Sequence, residues 1–95
     1  MEWETATELD NRGFNLYRSE TAAGPGLQLN DSLIPPQNPG GMFGAVYTWL
    51  DKDVPAGVTY YYWLEDVDVH GIATRYGPVS ATVRSYRVYL PLVRR

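Results

Sequence analysis

Residues 54–83 read V-P-A-G-V-T-Y-Y-Y-W-L-E-D-V-D-V-H-G-I-A-T-R-Y-G-P-V-S-A-T-V. A proline–glycine corner opens this stretch, an aromatic run follows it, and a polar turn at 68–71 reverses the chain. Alternating side chains on both sides of a short turn are typical of a β-hairpin with one buried face and one exposed face. The stretch therefore predicts two paired strands, at 59–67 and 72–84.

Alternation within the aromatic run assigns its side chains to two faces, because successive side chains of a strand point to opposite sides of the sheet. We expect the even-numbered residues to fill the interior, namely Tyr60, Tyr62 and Leu64. The odd-numbered residues then face solvent, namely Tyr61, Trp63 and Glu65. The outer face of this hairpin is therefore the first place to look for a recognition surface.

Four shorter strands are predicted ahead of the hairpin, at 3–8, 14–18, 27–33 and 45–50. Their inward-facing residues complete the predicted core, which contains Trp3, Phe14, Leu16 and Trp49 beside the hairpin residues. No segment has helical periodicity of useful length, and turn residues recur at the spacing of a β-sandwich. The chain is therefore predicted to be all-β, with two antiparallel sheets packed face to face.

Four segments resemble the fibronectin type III domain, in the form common in bacterial extracellular proteins. They are W-E-T-A-T-E (3–8), D-N-R-G-F-N-L-Y-R-S (10–19), Y-T-W-L-D-K-D-V-P-A-G-V-T-Y-Y-Y (47–62) and Y-G-P-V-S-A-T-V (76–83). The resemblance implies an immunoglobulin-like sandwich with Trp3 in its core and Phe14 and Leu16 as an inward pair. It implies that Tyr60 forms a tyrosine corner, its hydroxyl bonded to backbone near 54–57. It also implies an extracellular or cell-surface location.

Two departures from that family concern the body of the domain. Asp66 stands where a small apolar residue is expected, so either it lies at the solvated end of its strand or the register of the alternation shifts there. The family's first strand is missing, because the chain begins where the second should already be running. One edge of the predicted sandwich is therefore left uncovered.

The third departure is a tail at 85–95, which follows the sandwich at 1–84. Its apolar residues alternate like those of a strand: Tyr86, Val88, Leu90 and Leu92. Pro91 lacks a backbone N–H and confines such a strand to a sheet edge. Three positions are open to it: parallel to the strand of Trp3 in place of the missing strand, along the last strand's edge, or against a second chain in a homodimer.

Composition excludes several classes of function. The net charge of −3 and a pI near 4.9 argue against a nucleic-acid binder, which normally carries a basic face. The absence of cysteine excludes disulfides and thiolate metal sites. No apolar run approaches the roughly 20 residues of a membrane span, and the first residues lack the pattern of a signal peptide. We therefore expect no membrane span.

Catalytic chemistry finds little support in the residue pattern. His70, the only histidine, lies in a predicted turn, and no serine has the spacing of an activated nucleophile. The aspartates are interpreted as solvated turn residues rather than a calcium site, namely Asp51, Asp53, Asp66 and Asp68. Asn30-Asp31-Ser32 fits a glycosylation sequon. The chain is predicted to be non-enzymatic, with no cofactor and no metal.

The candidate binding residues are Tyr17, Tyr61 and Trp63, which share the outer face if the alternation is right. Exposed Tyr and Trp on a rigid sheet suit recognition of a protein or a polysaccharide. In the competing interpretation Arg18, Arg75 or the tail stacks on these rings, and the face is merely packed. The residues themselves predict a compact β-domain without a catalytic site, and the resemblance implies a non-catalytic spacer or protein-interaction module of a larger secreted or cell-surface bacterial protein. The alternative is a carbohydrate-binding accessory domain.

Overall fold

The protein folds as a two-sheet β-sandwich. The computed structural model describes residues 1–51, 54–82, 90 and 93. Its strands are β1 Glu2–Glu4, β2 Asn11–Ser19, β3 Leu27–Gln28, β4 Val46–Thr48, β5 Thr59–Asp68 and β6 Ala73–Thr82. One sheet pairs β1 with β4, and the other has the order β3-β2-β5-β6, with antiparallel pairing throughout. The predicted fold class is confirmed. None of the described residues belongs to a helix that could cross a membrane.

An aromatic cluster joins the two sheets. Trp3 of β1 stacks on Tyr47 of β4 with ring centroids 5.1 Å apart. The Phe14 ring of β2 meets both from the opposite sheet, at 5.6 and 4.9 Å, in edge-to-face geometry. Such offset and edge contacts add to the energy of burying the rings themselves. Most of the predicted core is confirmed as buried, namely Trp3, Phe14, Leu16, Tyr60, Tyr62 and Leu64. Trp49 is only half-buried and packs against this core.

The tail lies parallel to β1 at the two positions that the structure describes. The amides of Leu90 and Val93 donate to the carbonyls of Glu2 and Glu4, at 2.8 and 2.9 Å, and Ala6 N–H donates to Val93 at 2.8 Å. Both tail side chains are buried in the core. Even-numbered residues of β1 bond the tail while odd-numbered ones bond β4, so the tail takes the edge opposite β4. It thus fills the place of the missing strand; Tyr86, Val88 and Leu92 lie outside the described residues.

The tyrosine hydroxyl that reaches back across the β4–β5 connection belongs to Tyr62. It donates to Asp51 Oδ2 at 3.0 Å, and Arg18 Nη1 donates to Asp51 Oδ1 at 2.7 Å. Tyr60 is buried with the Arg18 guanidinium 5.2 Å from its ring centroid, and its hydroxyl makes no bond to residues 54–57. The corner role predicted for Tyr60 is therefore wrong, because the buried carboxylate of Asp51 offers Tyr62 a stronger acceptor.

Three aspartates predicted to be solvated are buried, so that prediction is wrong for each of them. Asp66 accepts from Asn11 Nδ2 at 3.0 Å across the β2–β5 pair. Asp68 Oδ1 accepts from the backbone amides of His70 and Ile72, at 2.9 and 2.8 Å, and so closes the hairpin turn. Asp51 lies between Arg18 and Tyr62 as described above. Buried polar groups are retained where they have hydrogen-bond partners, and each of these carboxyl groups has at least one. Asp53 lies outside the described residues.

The side chain of Asn30 takes the place of backbone in the sheet beside β2. Asn30 Oδ1 accepts from Leu16 N–H at 2.8 Å, and Nδ2 donates to the Phe14 carbonyl at 3.3 Å. The same nitrogen donates to Asn15 Oδ1 and to the Ser32 carbonyl, both at 2.9 Å. Because Asn30 is buried and its amide fully used, the glycosylation suggested by the sequon is incompatible with this fold.

The variant Asn30→Asp tests whether the Asn30 side chain makes the hydrogen bonds that the backbone of a neighbouring strand would otherwise make. A carboxylate keeps the oxygen that accepts from Leu16 N–H. It replaces the donor Nδ2 by a second oxygen, which then faces the three oxygens to which Nδ2 donated. We therefore expect the unfolding free energy to fall by about 3 kcal/mol. Burial and these neighbours raise the pKa of the new carboxyl in the folded state, so the loss shrinks as pH falls. Urea titrations at neutral and acid pH measure both effects. Asp31→Asn, on the exposed neighbour, is the control; equal stability of the two variants contradicts the assignment.

Alkaline pH tests the buried tyrosines. Burial and then the Asp51 carboxylate raise the pKa of Tyr62 above its ordinary value, and burial and then Glu8 raise that of Tyr47. An unfolded tyrosine releases its proton near pH 10, before these two do in the folded chain. Their contribution is therefore complete below about pH 10 and is lost as pH rises beyond it.

Tyr62→Phe should lower the unfolding free energy at neutral pH by about 2 kcal/mol, because a hydrogen bond to a charged group is lost. It should also reduce the decline of stability above about pH 10. Urea titrations across this range measure both, with Tyr61→Phe as the control for losing a hydroxyl. An unchanged alkaline slope in the Tyr62 variant contradicts the assignment.

Candidate functional surface

The three predicted binding residues lie together on the outer face of the four-stranded sheet. The β2–β5 register places Tyr17 opposite Trp63 and Ser19 opposite Tyr61. Since Tyr62 and Leu64 are buried on the inner face, the predicted alternation of β5 is right. The structure therefore brings Tyr17, Tyr61 and Trp63 side by side.

Trp63 is nevertheless buried, with 7% of its surface exposed, so its predicted exposure is wrong. Glycines cover the ring. A Cβ built on Gly24 or Gly26 would lie 3.7 or 3.4 Å from indole carbons, and one on Gly77 would lie 3.1 Å from Cδ1. Gly77 has φ of 124°, and its Cβ would also lie 2.7 Å from the Tyr62 carbonyl, so no other residue fits there.

Tyr17 is covered by a charged neighbour. The Arg75 guanidinium lies 4.0 Å from its ring centroid, within the range of a cation–π contact. The Tyr17 hydroxyl donates to Glu65 Oε1 at 3.0 Å, and Asn15 Nδ2 donates to the same oxygen at 3.0 Å. Burial and then Glu65 raise the pKa of Tyr17, with Arg75 opposing. The structure supports the interpretation in which Arg75 stacks on an outer-face ring, so Tyr17 is packed rather than open.

Large apolar side chains are instead exposed on the connection into β4. Phe43 is 80% exposed and Met42 76%, and Val46 of β4 shows half its surface beside them. We call these three residues the Phe43 patch. Exposed apolar groups that lie next to each other on a soluble domain commonly mark an interaction site. The sequence signal is G-G-M-F-G at 40–44, two large apolar residues inside a glycine turn, which no strand or core requires.

A buried carboxylate fixes the first half of the loop that carries the patch. Glu8 is fully buried; its Oε1 accepts from Asn38 N–H at 2.6 Å, and its Oε2 accepts from the hydroxyls of Thr5 and Tyr47. Its backbone N–H donates to Gly41 at 2.9 Å, and Gly40 N–H donates to its carbonyl at 3.0 Å. A segment outside any strand is thereby hydrogen-bonded to the single residue Glu8 at three points, namely Asn38, Gly40 and Gly41.

The second half of the loop is fixed by Thr5. Its N–H donates to the Ala45 carbonyl at 2.9 Å, and its hydroxyl accepts from Ala45 N–H at 2.8 Å. A Cβ on Gly44 would overlap the Thr5 carbonyl, so only glycine allows this approach. Asn38 Nδ2 donates to the Phe43 carbonyl at 3.0 Å between these anchors. The patch therefore stands on a loop that is held at both ends and in the middle.

The other polar clusters serve the fold. Arg18 and Asp51 border an open cleft with Leu27, Trp49 and Leu50, but they are bonded to each other. Burial opposes the charge on Arg18, yet the hydrogen bond and charge of Asp51 outweigh it and raise the Arg18 pKa. Among the residues that the structure describes, no group of three acidic or histidine side chains is placed to hold a metal ion. His70 is exposed at its turn, as predicted.

The variant Trp63→Ala tests whether the Trp63 ring on the outer face is buried or exposed. Removal of a buried tryptophan typically costs about 3–5 kcal/mol, and we expect a loss in that range. Phe43→Ala is the matched control, because an exposed aromatic should change the unfolding free energy by less than about 0.5 kcal/mol. Urea denaturation followed by circular dichroism measures both. Similar, small losses for the two variants contradict the burial of Trp63.

Comparison with known proteins identifies no relative. No family model, no curated protein and no solved structure matches the chain. The resemblance to fibronectin type III domains therefore stays a prediction from the sequence, while the sandwich architecture rests on the sheets described above.

Proposed function

We propose that this chain is a non-catalytic protein-interaction module of a larger secreted or cell-surface bacterial protein, and that it binds through the Phe43 patch. The observation that carries the proposal is the exposure of Phe43 and Met42 on a loop fixed by Glu8 and Thr5. The bacterial and extracellular parts depend on the resemblance to fibronectin type III domains alone.

Preorganisation is what makes this patch suitable for binding. Ordering a flexible loop on association weakens affinity, and a loop already held by hydrogen bonds avoids most of that loss. Burial of a phenylalanine or methionine side chain contributes about 1.5–3 kcal/mol. Methionine also adapts its shape to a partner. Two such side chains on a fixed loop have the character of an interface hot spot.

The non-catalytic part of the proposal is supported by how the buried polar groups are used. Glu8, Asp51 and Asp68 direct their oxygens to loop and turn hydrogen bonds, where they stabilise connections. The carbohydrate-binding alternative requires open rings at Tyr17, Tyr61 and Trp63. Trp63 lies beneath glycines and Tyr17 beneath Arg75, so no observation favours that alternative.

The test uses the full chain as tagged bait, with chemical cross-linking in the cells it comes from. We compare the wild type with a variant carrying Met42→Ser and Phe43→Ser, and with Leu27→Ser as the control, since Leu27 is also an exposed apolar residue but lies on β3. All three should melt at the same temperature. A partner enriched by the wild type and by Leu27→Ser should fall at least about tenfold with the double variant, which corresponds to 1.4 kcal/mol.

Two results would overturn the proposal in different ways. Equal enrichment by the double variant would remove the Phe43 patch as the site. If no protein is enriched above the level seen with the tag alone, the interaction role is wrong and the chain is a spacer without a partner.

A further inference from the structure

The large apolar side chains that are exposed in the described part of the chain gather at one end of the sandwich. Six of the nine lie there, on or beside the connections that join β1 to β2, β3 to β4 and β5 to β6. Because the strands pair antiparallel, these three connections reach solvent at the same end. We call the six residues the apolar end: Leu9, Met42, Phe43, Val46, Val69 and Ile72.

Hydrogen bonds join the three connections into one surface. On one side of Leu9, the Glu8 N–H donates to the Gly41 carbonyl at 2.9 Å. On its other side, the Asp10 carbonyl accepts from the Val69 N–H, also at 2.9 Å. Leu9 is therefore the middle of the apolar end, with the Phe43 patch on one flank and the β5–β6 turn on the other.

The β5–β6 turn is held as firmly as the loop of the Phe43 patch. Asp68 Oδ1 accepts from the amides of His70 and Ile72, and the Asp68 carbonyl accepts from Gly71 N–H at 3.0 Å. A buried carboxyl group thus fixes each apolar loop tip, Asp68 in the turn and Glu8 in the longer loop. Side chains on loops that are already fixed lose little freedom when a partner covers them.

The apolar end is large enough to form most of one side of an interface. Its side chains are between 45 and 80% exposed, which leaves roughly 100 Å² of apolar surface on each of them. A standard interface takes about 800 Å² from each partner. Soluble monomers rarely expose a contiguous apolar surface of this size. Non-obligate interfaces are no more apolar than the rest of a protein surface, whereas homodimer interfaces are, so the apolar end fits the homodimer class.

The sequence of the two loop tips suits contact with an identical copy. A two-fold dimer brings the same patch of both molecules together, so a charge near the axis meets its own kind. Neither tip, G-G-M-F-G at 40–44 nor V-H-G-I at 69–72, contains Asp, Glu, Lys or Arg. Apolar side chains meet their own copies without the like-charge repulsion that opposes association. A second copy therefore needs no complementary surface other than the apolar end itself.

We propose that the apolar end binds the apolar end of a second copy of this chain, in a two-fold dimer that joins two sandwiches end to end. Both copies of Leu9 lie near the axis, and the two loop tips of each molecule complete the contact on either side. This proposal rests on the proposed function, because it keeps the Phe43 patch within the binding surface and names the partner.

The test measures the mass of the purified full chain by sedimentation equilibrium over a range of concentrations. We expect the mass to rise from that of one chain to that of two, with a dissociation constant below about 100 μM. Phe43→Ser and Ile72→Ser should each raise this constant at least about tenfold, although they lie on different loops. Leu27→Ser is the matched control and should dimerise like the wild type, because Leu27 is 63% exposed and Ile72 60%, but Leu27 lies at the opposite end on β3.

Melting temperatures separate an effect on association from an effect on folding. They are compared at a concentration at which the wild type is monomeric, because association itself stabilises a folded chain. All three substituted side chains are more than half exposed, so the variants and the wild type should melt at the same temperature.

The outcomes separate this proposal from the function on which it rests. A wild-type chain that stays monomeric up to about 1 mM overturns the dimer. Dimerisation that Phe43→Ser or Ile72→Ser leaves unchanged places the contact on another surface and also overturns the proposal. In either case, a different protein whose cross-linking depends on the Phe43 patch would preserve the interaction module, whereas the recovery of no protein at all would end both proposals.

Discussion

Strand β5 carries buried aromatic side chains on both of its faces, and much of the molecule is arranged to cover them. Tyr62 and Leu64 lie on the inner face, where the β1–β4 sheet and the tail residues Leu90 and Val93 complete the core. Trp63 lies on the outer face, which no second sheet covers, so loops must do so. Glycine is required at both places where backbone covers the ring: a Cβ on Gly77 would crowd the indole and the Tyr62 carbonyl, and a Cβ on Gly26 would overlap the Cβ of Tyr17. A small domain thus buries a large ring on the outer face of its sheet without a third layer.

Buried carboxylates fix the connections that the strands leave loose. Glu8 bonds the long segment before β4, and Asp51 bonds the segment before β5 to Arg18 and Tyr62. A chain without cysteine has no disulfide to hold such segments. A carboxylate accepting several hydrogen bonds performs a similar task, because leaving its partners unsatisfied costs more than the bond itself contributes. The exposed Phe43 patch is a consequence, since the same bonds that fix the loop turn its tip outward.

Local pattern predicted the fold but only part of the surface. Period-two alternation is a property of neighbouring residues, and it correctly placed Tyr60, Tyr62 and Leu64 inside. Whether Trp63 is exposed depends on a loop some forty positions away in the sequence and on a bulge in β6, neither of which leaves a local signal. The aspartates were expected in solvent because most are, yet Asp51 and Asp66 have partners that are distant in the sequence, and Asp68 bonds the amides of its own turn. Glu8 gave no signal of its own, since its burial follows only from the position of Asn38 and Tyr47.

The parallel course of the tail beside β1 determines how this domain would carry tension. A pull between Met1 and Val93 moves two adjacent parallel segments in opposite directions along their length. The hydrogen bonds that join them, from Leu90, Val93 and Ala6, lie across that direction and are loaded together in shear. They cannot open one after another as in an antiparallel pair pulled from its open end. Through this one feature the sandwich gains mechanical resistance along the axis of the chain.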